Sequence, residues 1–408
     1  MQKIILWLTV LLLLLSMAGC AAYDPYNGGE KLHAPTGGLT EDAGAAEPSA
    51  APGDEMDEAS GDQSPAISAG MLTAGEWKDA ENLEFWTRLL NRNDWYALMQ
   101  RRDLFTNRVV TTVVRDENGN GCFGIPVLLC DESGQVLYEA VTDVTGRAYL
   151  LYGLSGQDET PTSICVGAQN YPISDEIVEI TAESAGLAVT KLDLMLMIDT
   201  TGSMSDELRY LQKELEDVLH RIGQAGEGVS IHMSVNFYRD EGDDYIVRDF
   251  EFTGDHASAL QQLLRQEADG GGDYPEAVHQ ALDSIVYGHQ WRNDAVKLCF
   301  FVLDAPPHSE GEIKGINAKM RDTVKAAARK GIRLIPVASS GVDTETEFLL
   351  RSWALMTGGT YTFLTDHSGI GNDHLEPTIG QYEVEALNEC LIRIISEYCA
   401  LEYSKPEA

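Results

Sequence analysis

The sequence predicts an α/β protein whose C-terminal half is a doubly wound, mainly parallel sheet, preceded by a small β-sandwich and a helical segment. Three observations predict it. From residue 188 to 402, wholly apolar runs alternate with amphipathic helical stretches, as when strands are covered on both faces by crossover helices. Between 108 and 185, short β-prone runs are divided by Gly, Asn and Asp turn clusters. From 75 to 107, apolar residues recur at helical spacing.

The N-terminus sets the compartment. Lys3 precedes an unbroken apolar run from Ile4 to Leu15, too short for the roughly 20 helical residues that cross a bilayer. Residues 1–19 are therefore expected to be an export signal. Ser16-Met17-Ala18-Gly19-Cys20 resembles a bacterial lipobox, with Met17 where Leu is more usual. That resemblance implies cleavage before Cys20, lipidation of its thiol, and an exported chain anchored to the cell membrane and facing outward. Residues 20–74 are rich in Ala, Gly, Pro, Ser and acid. They bury too little apolar surface to offset their ordering entropy, which predicts a disordered acidic tether.

The whole chain carries 65 Asp+Glu against 29 Lys+Arg. That charge repels nucleic acid and anionic headgroups, so no nucleic-acid partner is expected and the membrane is met through the lipid alone. Beyond Cys20 there are Cys122, Cys130, Cys165, Cys299, Cys390 and Cys399, in no zinc-binding spacing. Cys299 lies in an apolar run and is expected in the core. Cys390 and Cys399 share a predicted helix, about 13 Å apart by helical rise, too far to bridge. Cys122, Cys130 and Cys165 leave room for one disulfide of unspecified pairing.

In the helical segment Leu83, Trp86 and Leu90 share a face, and Asn93 and Asp94 mark a break and a new cap. Its rings (Trp77, Phe85, Trp86, Trp95, Tyr96) are expected to dock on a neighbouring domain. The β-prone runs are Val109–Val114, Ile125–Cys130, Val136–Thr142, Ala148–Tyr152, Ile164–Ala168 and Ile177–Ile180. This stretch resembles prealbumin-like, carboxypeptidase-regulatory-like modules. Asp116-Glu117-Asn118-Gly119-Asn120-Gly121 matches the first half of a calcium loop, but the twelfth position is Val127 and the flanks are strands, so a hairpin turn is expected.

In the C-terminal half the predicted strands are Leu192–Ile198, Val229–Phe237, Ile246–Phe252, Leu298–Leu303, Ile332–Ala338 and Tyr361–Leu364. The predicted helices are Asp206–Ile222, His256–Gln266, Pro275–Tyr287, Ile313–Arg329, Glu345–Met356 and Tyr382–Cys399. Ligands of such sheets bind beyond the carboxyl ends of the strands, where strand order reverses. Three loops there carry oxygen donors: Asp199-Thr200-Thr201-Gly202-Ser203, Gly270-Gly271-Gly272-Asp273-Tyr274-Pro275-Glu276, and Leu303-Asp304-Ala305-Pro306-Pro307-His308. Each alone is explained by a cap or a turn. Together they gather carboxylates and hydroxyls without a thiolate, a hard-cation donor set.

The first loop resembles the Asp-x-Ser/Thr-x-Ser signature of the metal-ion-dependent adhesion site of von Willebrand factor A domains, a Rossmann-like fold. The resemblance extends over about half the chain, through Tyr238-Arg239-Asp240-Glu241, the second and third loops, and 365–378. It implies that Asp199, Thr201, Ser203 and Asp304 hold a divalent ion, Mg²⁺ or Mn²⁺, with Ca²⁺ as a third hard cation. Many members use a Thr in the second loop, and none stands here. Pro275-Glu276 resembles the arrangement of integrin β subunits and makes Glu276 the expected ligand, with Asp273 its rival. Asp240 and its acidic neighbours Glu241, Asp243 and Asp244 are candidates for a second cation or for a solvated loop. His308, His367 and His374 are expected to be structural.

The expected function is that of an extracellular binding or adhesion protein that captures an acidic side chain of a partner protein through the ion. An envelope scaffold or assembly factor uses the same features. A metal-dependent hydrolase is disfavoured, because no nucleophile–base pair stands at recognisable spacing and no Gly-x-Ser-x-Gly turn surrounds Ser203; the chain is not expected to be an enzyme.

Overall fold

A computed structural model describes residues 67–182, 186–225 and 228–402. The expected export signal, Cys20 and nearly all of the tether lie outside the described residues. Among the described residues no helix is long and apolar enough to cross a membrane.

The first described elements are β1 (Thr73–Trp77), a 3₁₀ turn, α1 (Leu83–Leu90) and α2 (Asn93–Arg102). The β-module follows: β2 (Val109–Arg115), β3 (Pro126–Cys130), β4 (Val136–Val141), β5 (Arg147–Leu151), β6 (Ser163–Val166), β7 (Gln169–Pro172) and β8 (Ile177–Thr181). Then come β9 (Lys191–Asp199), α3 (Leu208–Ala225), β10 (Ser230–Tyr238), β11 (Val247–Arg248), α4 (His256–Leu264), α5 (Val278–Asp283) and β12 (Val296–Leu303). The chain closes with α6 (Ile316–Lys330), β13 (Ile332–Ala338), α7 (Thr344–Thr357), β14 (Tyr361–Leu364), β15 (Glu385–Ala386) and α8 (Leu387–Cys399).

One sheet has the order β11-β10-β9-β12-β13-β14-β1-β15. The strands from β10 across to β14 are parallel, and β11, β1 and β15 add antiparallel edges. This is the doubly wound α/β architecture that the apolar runs predict. Because side chains alternate along a strand, β9 feeds both faces. Leu192, Leu194, Leu196 and Ile198 pack with α3 and α8, whereas Met195 and Met197 join α5, α6 and α7. The one charge inside β9, Asp193, is buried and held by the Arg292 guanidinium at 2.6 Å.

The first difference from the sequence reading is β1. Periodicity predicts helix from Gly75, yet Ala74 to Trp77 pair with β14 in the central sheet. Gly75 permits this: a Cβ there would lie 2.5 Å from the Phe363 ring and 2.8 Å from that of Tyr382. The sheet therefore takes one strand from before the β-module, so the 188–402 boundary is too narrow. Three further elements are shorter than predicted. Only Val247 and Arg248 of Ile246–Phe252 form a strand, α5 starts at Val278, and the last helix starts at Leu387. The strand β7 was not foreseen, since Gln169-Asn170-Tyr171-Pro172 is polar and lies on a sheet edge.

The β-module is a sandwich of β5-β2-β8 on β4-β3-β6-β7. The Asp116 carboxylate accepts the amides of Asn118 (2.9 Å) and Asn120 (2.8 Å), so the calcium-like sequence is a turn that uses its acid on its own backbone. The module packs at the amino ends of the strands: Arg333, near the start of β13, donates to Val141 and Thr357 carbonyls, and Tyr138 donates to the Met356 carbonyl. Trp86 and Trp95 dock on α7 as expected, lying against Phe348 and flanking the buried Arg351, which binds Asp79 and Glu347.

Candidate metal centre

The chain leaves β9 for β10 on one side and later returns to β12 on the other, so strand order reverses between β9 and β12. Asp199 ends β9 and Asp304 directly follows β12, both buried. They flank the crevice where open α/β sheets bind ligands.

The first loop turns tightly over this crevice. Asp199 Oδ1 accepts the Thr201 amide at 2.9 Å and the Thr201 hydroxyl at 2.7 Å. Thr201 Oγ1 lies 3.0 Å from Ser203 Oγ. The second loop is tied to the first by Gly202 N–H to the Gly270 carbonyl (3.1 Å) and Asp269 N–H to the Thr200 carbonyl (3.1 Å). Gly270 and Gly271 have φ of 79° and 71°, a left-handed backbone that glycine adopts without strain. A Cβ on Gly271 would sit 3.2 Å from Glu276 Oε1 and 3.3 Å from Thr201 Cβ, so glycine keeps the space between those two residues open. The third loop is joined to the second by the Glu276 amide, which donates to the Pro306 carbonyl at 2.9 Å. Arg102 of α2 supports it from behind, donating to the carbonyls of His308 (2.9 Å) and Pro307 (3.2 Å).

The buried acids lack counter-charge. Asp199 Oδ2, Glu276 Oε2 and Asp304 Oδ1 are buried without a hydrogen-bond partner. Folded proteins rarely leave such atoms unpaired, because each costs desolvation energy. Burial pushes the Asp199 carboxyl up to about 6. It pushes Asp304 to about 8, with the charge of Asp199 adding, and Glu276 to about 9, with Asp199, Asp240 and Asp304 adding. A divalent cation fits this arrangement: its charge favours the ionised carboxylates and its coordination engages the orphan oxygens. Among the described residues no three His, Cys, Asp or Glu side chains form a metal cage by themselves. The fit therefore depends on the hydroxyls of Thr201 and Ser203, and two hydroxyls with carboxylates suit Mg²⁺ or Mn²⁺.

The other predicted residues fall outside this set. Asp273 is exposed. Asp240 is buried but held by His308 Nε2 at 2.9 Å. Asp243 accepts the amides of Gly271 (2.9 Å) and Asp240 (3.1 Å), so it braces the second loop. His374 bridges Asp366 and Glu207, and His367 is exposed.

Two residues were missed. The Tyr238 hydroxyl is buried facing Asp199 without a bond of good geometry. Glu207 is fully buried, faces the Ser340 amide at 3.3 Å, and lies 3.1 Å from His374 Nε2. Its signal was in the sequence: Glu207, Leu211, Glu214, Leu215 and Val218 share one helical face, so two acids occupy apolar positions.

Residues 193–329 match the family model of the von Willebrand factor A domain. An ariadne-like RING finger protein of Acanthamoeba polyphaga mimivirus is 26% identical over 136 residues, 33% of this chain; the chain spans only 13% of that relative's length. A solved structure of a conserved hypothetical protein, BatB, from Bacteroides thetaiotaomicron is similar to 51% of this chain over 99% of its own, with 12% identity and a TM-score of 0.35.

Proposed function

We propose that the von Willebrand factor A domain of this chain is a protein-binding module that captures an acidic side chain of its partner through a divalent cation. Asp199, Thr201, Ser203, Asp304 and Glu276 would hold the ion, and the ion would supply an electrophilic position for the partner's carboxylate. The observation that carries this reading is that Asp199, Glu276 and Asp304, on the three loops at the switch point, each bury a carboxylate oxygen without a hydrogen-bond partner. Thr201 and Ser203 are neutral donors, so Asp199 and Asp304 alone would just match the charge of the ion and leave it able to accept a further carboxylate ligand. An ionised Glu276 would overcompensate that charge, so moderate affinity for partners is expected. Tyr274 stands exposed on the second loop, with its hydroxyl fixed to the Gly341 carbonyl at 2.7 Å; an anchored ring is suited to rim contact with a partner.

The site is offered as a binding site rather than a catalytic one. Ser284, His289 and Asp249 do meet: Ser284 Oγ donates to Asp249 at 2.5 Å and lies 3.3 Å from His289 Nε2. Asp249 approaches the same nitrogen at 3.4 Å. A relay needs serine and carboxylate on opposite ring nitrogens, so this arrangement supports a structural bond. The lipobox-like Cys20 supports display of the module at the outer face of the cell membrane. The core shared by the β-module and α5–α7 favours, as a second reading, a rigid envelope scaffold that holds another subunit.

Calorimetric titration of Mg²⁺ and Mn²⁺ into the metal-stripped full chain tests the site. Saturable one-to-one binding is expected, and Asp199→Ala should abolish it. Equal binding by both chains would remove the cation from the proposal. Partners co-purified from the cell envelope separate the two roles: a fixed endogenous subunit indicates the scaffold, a host or matrix protein the adhesin.

A further inference from the structure

We propose that Cys130 and Cys165 close a disulfide across the β-module when the folded chain meets an oxidising environment. The two sulfurs lie 3.2 Å apart, on residues 35 positions apart in sequence. They stand on the antiparallel neighbours β3 and β6. Cys130 is opposite Ser163 and Cys165 is opposite Leu128, so the cysteines are diagonal neighbours on one sheet face. Diagonal side chains ordinarily stand too far apart to bond. Here β3 also carries a register shift against β4 between Leu129 and Cys130. Such a bulge bends and twists its strand, which accounts for the close approach of the sulfurs. A bond of about 2.05 Å then needs closure by roughly 1 Å, within the reach of side-chain rotation and a small strand shift.

Access supports the same pair. Cys165 is half-buried and Cys130 buried, so one sulfur meets the oxidant and the other meets only its neighbour. The Cys165 thiol loses its proton and attacks one sulfur of an external disulfide, of a small molecule or an oxidoreductase, expelling one thiolate. The Cys130 thiol then loses its proton and attacks Cys165 Sγ in the mixed disulfide, expelling the second thiolate. The cysteines give up two protons and two electrons, and the external disulfide becomes two thiols. Burial, aided by Cys165, pushes the Cys130 thiol up to about 11, so little of it is thiolate and its attack relies on the Cys165 sulfur standing beside it. Burial also raises the thiols of Cys299, Cys390 and Cys399, which keeps them unreactive in the core.

The bond would staple the two central strands of the β4-β3-β6-β7 sheet and shorten the free chain of the unfolded state. The geometry stands alone, but closure in the cell rests on the exported reading.

The test uses the full chain, purified reduced and then incubated with oxidised glutathione. Maleimide labelling after denaturation should report two fewer thiols, and non-reducing peptide mapping should find residues 130 and 165 linked. The urea midpoint should rise on oxidation, and neither Cys130→Ser nor Cys165→Ser should show that rise. Unchanged thiol reactivity, or a link to Cys122 instead, overturns the proposal. Mapping the chain alkylated directly in its native cells tests the compartment separately. A link there supports export, whereas free thiols in cells beside a link formed in vitro overturn the exported reading and leave the pairing intact.

Discussion

Arg102 offers a direct test of whether the N-terminal helices belong to the binding site. It is buried at the end of α2, and its guanidinium donates to the backbone carbonyls of Pro307 and His308 while pairing with Glu345. The same loop carries Asp304, and its Pro306 carbonyl receives the Glu276 amide. Arg102→Met keeps the apolar stem and removes the donors. The two carbonyls lose charge-assisted bonds worth about 1.5–3 kcal/mol each. Glu345 suffers less, because it is partly exposed and retains Arg101. A destabilisation of about 3–6 kcal/mol follows, measurable as a lower urea midpoint. The effect on metal is distinct. Residues that orient ligands from behind typically alter metal affinity 10–100-fold, so Mg²⁺ binding by Arg102→Met should weaken by about tenfold or more, measured where the chain is still folded. A fallen midpoint with unchanged metal affinity would refute the link from α2 to the third loop and reduce Arg102 to a docking residue.

Other perturbations have signs that follow from the same contacts. Asp199, Asp304 and Glu276 have folded-state pKa values raised above their ordinary values near 4, so without metal they contribute stability that is full below about pH 4 and lost as pH rises through 6 to 9. The urea midpoint of the metal-free chain should fall across that window, and saturating Mg²⁺ should flatten the fall; a metal-free midpoint that rises with pH would contradict the assignment. Arg351→Met leaves the buried carboxylates of Asp79 and Glu347 unpaired and should cost about 3–5 kcal/mol, whereas a loss below about 1 kcal/mol in denaturant titration would show that water compensates the pair. Cys20→Ser should convert a membrane-bound chain into an unanchored one in a bacterial host, and equal membrane partition of both forms would exclude the lipid.

Most of the C-terminal half was legible because its strands are buried on both faces. Leu192–Ile198 and Leu298–Leu303 are apolar without interruption, and only a strand covered by helices on both sides permits that. The site loops were legible because they sit where such strands end. Elements held by long-range contacts were not. Thr73-Ala74-Gly75-Glu76-Trp77 has neither an apolar run nor clean alternation; it is a strand because β14 and β15 supply partners and Gly75 yields to two rings. Glu276 could be weighed against Asp273 from sequence only by resemblance. In the fold Glu276 is buried, with its amide bonded to the Pro306 carbonyl, whereas Asp273 is exposed.

The position of β1 changes what counts as the binding unit. Because β1 lies between β14 and β15, the β-module is an insertion between two strands of one sheet rather than a domain placed before it. A fragment starting at residue 188 would expose the edge of β14 and uncover Phe363, an arrangement prone to edge pairing with other chains. It would also strip Asp79 from Arg351 and Arg102 from the third loop. Glu214 on α3 makes the same point at the chain's entry, where its carboxylate accepts the amides of Gly70, Met71 and Leu72. The segment before β1 is thus fastened to the helix that follows the Asp199–Ser203 loop. Binding measured on the isolated C-terminal half would confound loss of the ion with loss of the sheet, so the site is to be judged on a chain that keeps Gly70–Leu72, β1 and the two helices that follow it.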